Sequence, residues 1–120
     1  MTPKEVDALM SEARSLLSAD RFAEARDAYS VAADAAEETG EESVAFFARR
    51  RAARLHVLVW ARRRWPAENI REHDIEFKQM PPKRRSRVDL SIRRRETVPR
   101  TWVYVSVGRR GDIREEERVH

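Results

Sequence analysis

Thr101-Trp102-Val103-Tyr104-Val105-Ser106-Val107 decides the fold class. Every residue but Ser106 is β-branched or aromatic, the types that suit a pleated, half-buried strand. Gly108 and Gly111 follow and end it. Upstream, Val88, Leu90 and Ile92 alternate with Asp89, Ser91 and Arg93, a second strand. Ile75 and Phe77 alternate with Asp74, Glu76 and Lys78, a third, and Pro81-Pro82 breaks it. A connection around Glu96-Thr97-Val98-Pro99 joins the later two. After Gly111, residues 114–118 read as a solvated tail or a frayed helix. The C-terminal part is therefore expected to form a small antiparallel sheet of two or three strands. A sheet that small needs a surface to pack on.

Before Pro66 the period is helical. Thr2 can cap a first helix, Pro3 suits its first turn and Glu5 completes a capping box. Val6, Leu9, Met10, Ala13, Leu16 and Leu17 share one face. Asp20 is a plausible cap for a second helix, with Phe22, Ala25, Ala28, Tyr29, Ala32 and Ala36 as its stripe, and Gly40 as its terminator. A third helix is expected from about Glu41 to Trp65. Its glutamates at the start and Arg62-Arg63-Arg64 at the end suit the helix dipole. It bears two apolar stripes. One is Val44, Phe47, Ala48, Ala52, Leu55 and Val59, with Leu58; the other is Phe46, Ala53, Val57 and Trp60. Two stripes imply burial on two sides, one against the hairpin and one against the C-terminal part or a second subunit.

Leu9, Ala13, Leu16, then Asp20-Arg21-Phe22-Ala23-Glu24-Ala25, then Tyr29 and Ala32 resemble a single tetratricopeptide repeat across residues 6–39. The same spacing is similar to that of the three-helix microtubule-interacting-and-trafficking domain. The resemblance implies a helical hairpin with close contact at the small residues. Glu37 stands where the repeat closes with Pro, and Phe47 where a second copy needs a small residue. One unit is therefore expected, not an array. The whole reads as α+β: a three-helix, TPR-like unit at 1–66, then a basic β-rich segment at 67–120 packed on the third helix.

Charge changes sign along this chain. Residues 1–45 hold 11 acidic and 4 basic side chains, net −7; residues 46–120 hold 21 basic and 10 acidic, net +11; together they give the overall +4. GC-rich codon usage alone would produce a bias such as 22 Arg against 3 Lys, so the total is weak evidence. The placement says more, because codon usage has no reason to leave the first 45 residues acidic. A basic half points to a polyanion or an acidic protein surface. Arg62, Arg63, Arg64, Lys83, Arg84, Arg85, Arg87, Arg93, Arg94 and Arg95 are the candidate polyanion-binding cations, with Arg100, Arg109 and Arg110 beside them. Arginine contacts phosphates bidentately, and Trp102 or Tyr104 can stack on bases. The competing readings are a solvated surface paired with nearby carboxylates, or an interface with another copy's acidic half. Phe46, Val57, Trp60 and Trp65 are the candidate protein-interface anchors.

Catalytic signals are weak. Glu76-x-Lys78 on a strand resembles the metal-binding strand of restriction-type nucleases, where the carboxylate holds Mg²⁺ and the lysine polarises water. No Pro-Asp partner precedes it. His56, His73 and His120 are scattered, and without cysteine they offer no zinc spacing. Three glycines, at 40, 108 and 111, cannot build a phosphate-cradling loop. The absence of cysteine excludes disulfides. The longest apolar run, Val57-Leu58-Val59-Trp60-Ala61, is too short to span a bilayer, and the first thirty residues lack a signal-type apolar core. A soluble, intracellular protein without cofactor or small-molecule substrate is expected. Its function is expected to be non-enzymatic: an assembly or adaptor module whose basic half contacts nucleic acid or an acidic protein surface. The alternative is a structural subunit of a larger oligomer, such as a virion, tail or injection-machine component, and self-association is expected in either case.

Overall fold

The computed structural model describes residues 2–78, 87–95 and 101–116. The chain divides into two units, residues 1–55 and 56–120. Its elements are α1 (Pro3–Ser18), α2 (Phe22–Glu38), α3 (Glu42–Arg64), β1 (Ile75–Phe77), β2 (Arg87–Arg94), β3 (Thr101–Gly108) and β4 (Ile113–Glu116). Two 3-10 turns, Pro66–Glu68 and Glu72–Asp74, link α3 to β1. The architecture is the expected α+β, with three helices followed by an antiparallel sheet. The sheet has four strands rather than two or three. No described helix is long and apolar enough to cross a membrane.

In the helical unit, the Thr2 hydroxyl accepts the Glu5 backbone N–H and so satisfies one orphan donor at the start of α1. Val6, Met10 and Ala13 are the buried residues of α1. Ala25, Tyr29, Ala32, Ala33, Ala35 and Ala36 are buried on α2. Small side chains let the helix axes approach closely, and Tyr29 supplies the bulk between them. Val6, Ala35, Ala36 and Ala45 form one buried cluster with Leu9 and Val44 against it, which joins α1, α2 and the start of α3.

Asp20 does not cap α2. It has φ +58°, and Arg21 N–H bonds back to Leu16 O at 3.0 Å. Asp20 is thus the left-handed residue that closes α1, a place its short polar side chain tolerates. The N-cap of α2 is Arg21, without a side-chain capping bond; its guanidinium pairs with Glu24 instead. Gly40 fills the equivalent position after α2, with φ +74°, and Glu41 N–H bonds to Ala36 O at 2.9 Å.

The middle of both apolar stripes of α3 is buried, its start is open, and Val59 and Trp60 near its end are half-buried. Ala48, Ala52, Ala53, Leu55, Val57, Leu58 and Ala61 are buried, whereas Phe46 is 65% exposed and Phe47 44%. Ala45, Ala48 and Ala52 lie on one face of α3 and are buried. Residues 46 and 47 point away from that face, since each step turns a helix by about 100°.

In the sheet unit the order is β1-β2-β3-β4, with every neighbouring pair antiparallel. Ile75 pairs with Ile92, Leu90 with Val105, and Val107 with Ile113. Alternation therefore puts Ile75, Leu90, Ile92, Val105 and Val107 on one face, all of them buried. The fourth strand stands where the sequence predicts a solvated tail or frayed helix. Arg114-Glu115-Glu116 carries no apolar period: Ile113 and Glu115 share the core side, opposite Val107 and Val105, and of the two only Ile113 is apolar. The strand exists because the turn at 108–112 returns the chain: Gly108 N–H bonds to Asp112 O at 2.9 Å and Gly111 N–H to Gly108 O at 3.0 Å. Gly111 has φ +82°, and a Cβ there would overlap the His56 imidazole of α3. Both the backbone and the space at this point require glycine.

Candidate nucleic-acid interface

The opposite face of the sheet is polar. Register and alternation place Glu76 and Lys78 on it from β1 and its end, Arg87, Asp89, Ser91 and Arg93 from β2, Trp102, Tyr104 and Ser106 from β3, and Arg114 from β4. Two aromatic rings lie here under cations. Arg93 is directly across from Trp102, and its guanidinium lies 5.1 Å from the ring centroid. Lys78 Nζ lies 4.8 Å from the Tyr104 centroid. The lysine reaches across β2, where the residue facing Tyr104 is the small Ser91. Trp102 is 37% exposed. Arg93 also approaches Glu76 at 3.5 Å.

Arg87 is on this face but acts as a clamp. Its Nε donates to Ser106 Oγ at 2.9 Å, Nη1 to Asp112 Oδ2 at 2.6 Å, and Nη2 to Ser106 O at 3.0 Å and Asp112 O at 3.1 Å. Its side chain is 9% exposed. It ties the start of β2 to β3 and to the turn after it. The pair occupies the space a Cβ at Gly108 would need. The hydrogen bond from Arg87 holds the Asp112 carboxyl below its ordinary pKa.

The other expected cations are spread over different sites. Arg94 faces away from this surface by alternation. Its guanidinium stacks 4.5 Å from the Trp65 centroid and donates from Nε to Glu68 Oε2 at 3.0 Å. That hydrogen bond lowers the Glu68 pKa and raises that of Arg94. Arg95 Nε lies 2.9 Å from Oδ1 of the buried Asp74, whose Oδ2 accepts the Arg71 N–H at 2.9 Å. Arg62 Nε donates to Ile70 O at 2.9 Å. Arg63 and Arg64 are exposed in the last turn of α3, Arg64 lying 5.5 Å from the Trp65 ring. Arg109 and Arg110 are exposed on the β3–β4 turn. Lys83, Arg84, Arg85 and Arg100 lie outside the described residues. The structure thus brings together Arg87, Arg93, Trp102 and Tyr104, and assigns Arg62, Arg94 and Arg95 to contacts within the chain.

The expected interface anchors separate as well. Val57 has no exposed surface. Trp60 and Trp65 form an edge-on pair 5.5 Å apart, and both are half-buried. Phe46 is open to solvent, with Arg50 5.3 Å from its ring; Phe47 has Arg51 at 5.2 Å.

The sequence pattern reads Glu76 and Lys78 as a nuclease-like pair and does not put either on the polyanion surface. The signal that finds them is the β1 alternation, which puts them on the face of Ser91 and Tyr104. Lys78 lies over a ring and Glu76 faces Arg93. Among the described residues no group of three or more His, Asp or Glu side chains could hold a metal ion. The arrangement offers stacking surfaces, phosphate-binding cations and carboxylate acceptors. Comparison with protein-family models, curated proteins and solved structures finds no match to this chain.

Proposed function

We propose that this protein is a non-enzymatic binding module that takes nucleic acid on the polar face of its sheet, its helical unit serving as the assembly arm. The observation that carries this reading is the pairing of Trp102 with Arg93 and of Tyr104 with Lys78 on one face. Aromatics stack on bases and arginine binds phosphate, so both halves of a nucleotide find a partner there. The exposed Arg109 and Arg110 at the end of β3 extend the positive rim. Fluorescence anisotropy of labelled DNA and RNA, titrated across salt, tests it. Micromolar binding with a steep salt slope is expected, because each neutralised phosphate releases counterions. No binding at low salt overturns it.

A second reading, a structural subunit in a larger assembly, is favoured by Phe46 and Phe47, two large apolar side chains exposed near the start of α3. It expects a concentration-dependent oligomer in sedimentation that Phe46→Ser and Phe47→Ser disrupt. A strict monomer at high concentration sinks it.

A further inference from the structure

The spacing of the two rings on the polar face bears on which form of nucleic acid fits it. Trp102 and Tyr104 are two residues apart on β3, so their attachment points are separated by roughly 6.7 Å at the usual strand rise. Bases stacked in a duplex strand are about 3.4 Å apart. Neighbouring bases can reach both rings only if the strand is unstacked and extended.

The charge on this face points the same way. Lys78, Arg93 and Arg114 share it with Glu76 and Asp89, while the remaining cation, Arg87, is held by Ser106 and Asp112. A duplex would lay rows of phosphates across the two carboxylates. A single strand would lay bases there instead. Its phosphates would then pass toward Arg109, Arg110 and Arg114, all exposed. Carboxylates are suitable acceptors for the exocyclic amino groups of bases. The cations over the two rings need only move to a neighbouring phosphate when a base takes their place.

We infer, building on the nucleic-acid reading above, that this face is a platform for two consecutive unpaired bases of a single strand, stacked on Trp102 and Tyr104. The expected preference is for single strands over duplexes of the same length, whatever the duplex sequence. Trp102 lies on the partly exposed face rather than in the core, so its replacement is compatible with folding. W102F retains a stacking plane, whereas W102L removes it.

The test compares a labelled ten-nucleotide single strand, the matching duplex and polyphosphate as probes of the full chain. Circular dichroism of each variant checks its fold. The expected result is tighter binding of the single strand than of the duplex, weakened about tenfold by W102L, as loss of one stacked base predicts, and kept by W102F. Equal binding of all three probes, unaffected by W102L, overturns the platform and leaves a general polyanion surface. No binding of any probe overturns the platform and the nucleic-acid reading together.

Discussion

The two units use arginine in opposite ways. In the helical unit, guanidinium groups pair at the surface: Arg21 with Glu24, Arg26 with Asp27, and Arg49 with Asp34 and Glu37 at 3.1 and 2.8 Å. Its interior is held by alanines packed against Val6 and Tyr29. In the sheet unit, arginines do structural work. Arg87 clamps two strands and a turn, Arg94 joins Trp65 to Glu68, and Arg62 bonds to the Ile70 carbonyl. A small sheet has little apolar surface to bury, and long planar side chains satisfy backbone and carboxylate groups at several points at once. The count of basic residues in a region therefore overstates the cations that face a ligand.

That contrast can be broken or sharpened in order of effect. Gly40 and Gly111 both have positive φ, but only Gly111 has a ring where a Cβ would go. Gly111→Ala is expected to destabilise by about 2–4 kcal/mol through strain and overlap, and Gly40→Ala by about 1 kcal/mol. All three tryptophans fall within residues 56–120. Urea unfolding followed by far-ultraviolet circular dichroism for the helices and by tryptophan emission for the sheet unit reads both variants, and equal losses would remove His56 as the constraint. Next, Arg87→Met is expected to cost about 2 kcal/mol by leaving the Ser106 groups without their donor. Arg49→Met, at an exposed pair, should cost below about 1 kcal/mol. Similar values would mean that burial of the Arg87 clamp adds nothing.

Acid should act on the sheet unit through Glu68. Its folded pKa is depressed, first by the hydrogen bond from Arg94. The contribution is fully present above the ordinary glutamate value and is lost as pH falls through the depressed one. Glu68→Gln should flatten the loss of stability below about pH 4.5, read from tryptophan emission during acid titration. An unchanged acid profile would remove this pair from the balance. The smallest effect is expected at Phe46. Phe46→Ser should shift stability by no more than about 0.5 kcal/mol, as measured by thermal melting. A large loss would mean that the ring packs against something within the chain.

Much of the helical half was legible because its signals are local. Thr2, Pro3 and Gly40 mark ends by their own chemistry, and the α1 and α2 stripes repeat at helical spacing. Asp20 misled because the same residue type caps one helix or closes the one before, and only the backbone angle distinguishes the two. In the sheet, β1, β2 and β3 followed from alternation. β4 did not, since Arg114-Glu115-Glu116 is an edge strand whose pairing comes from the turn before it. The candidate site was half legible. Alternation puts Arg87, Arg93, Trp102 and Tyr104 on one face once the strands are in register. It gives no sign that Arg87 is spent on Ser106 and Asp112, or that Lys78 crosses β2 to a ring.

The sequence by itself determined the class of fold, the ends of the helices marked by Thr2, Pro3 and Gly40, and the sign of charge on each half. These depend on neighbours within a few residues of one another, whose spacing is visible in the chain. Only the tertiary structure decided which cations face outward, why Gly111 must be glycine, and that Phe46 and Phe47 are left open while Val57 is not. Those outcomes rest on groups up to 55 positions apart in the chain, as His56 and Gly111 are. Their meeting is set by strand register and helix rotation, which no local pattern encodes.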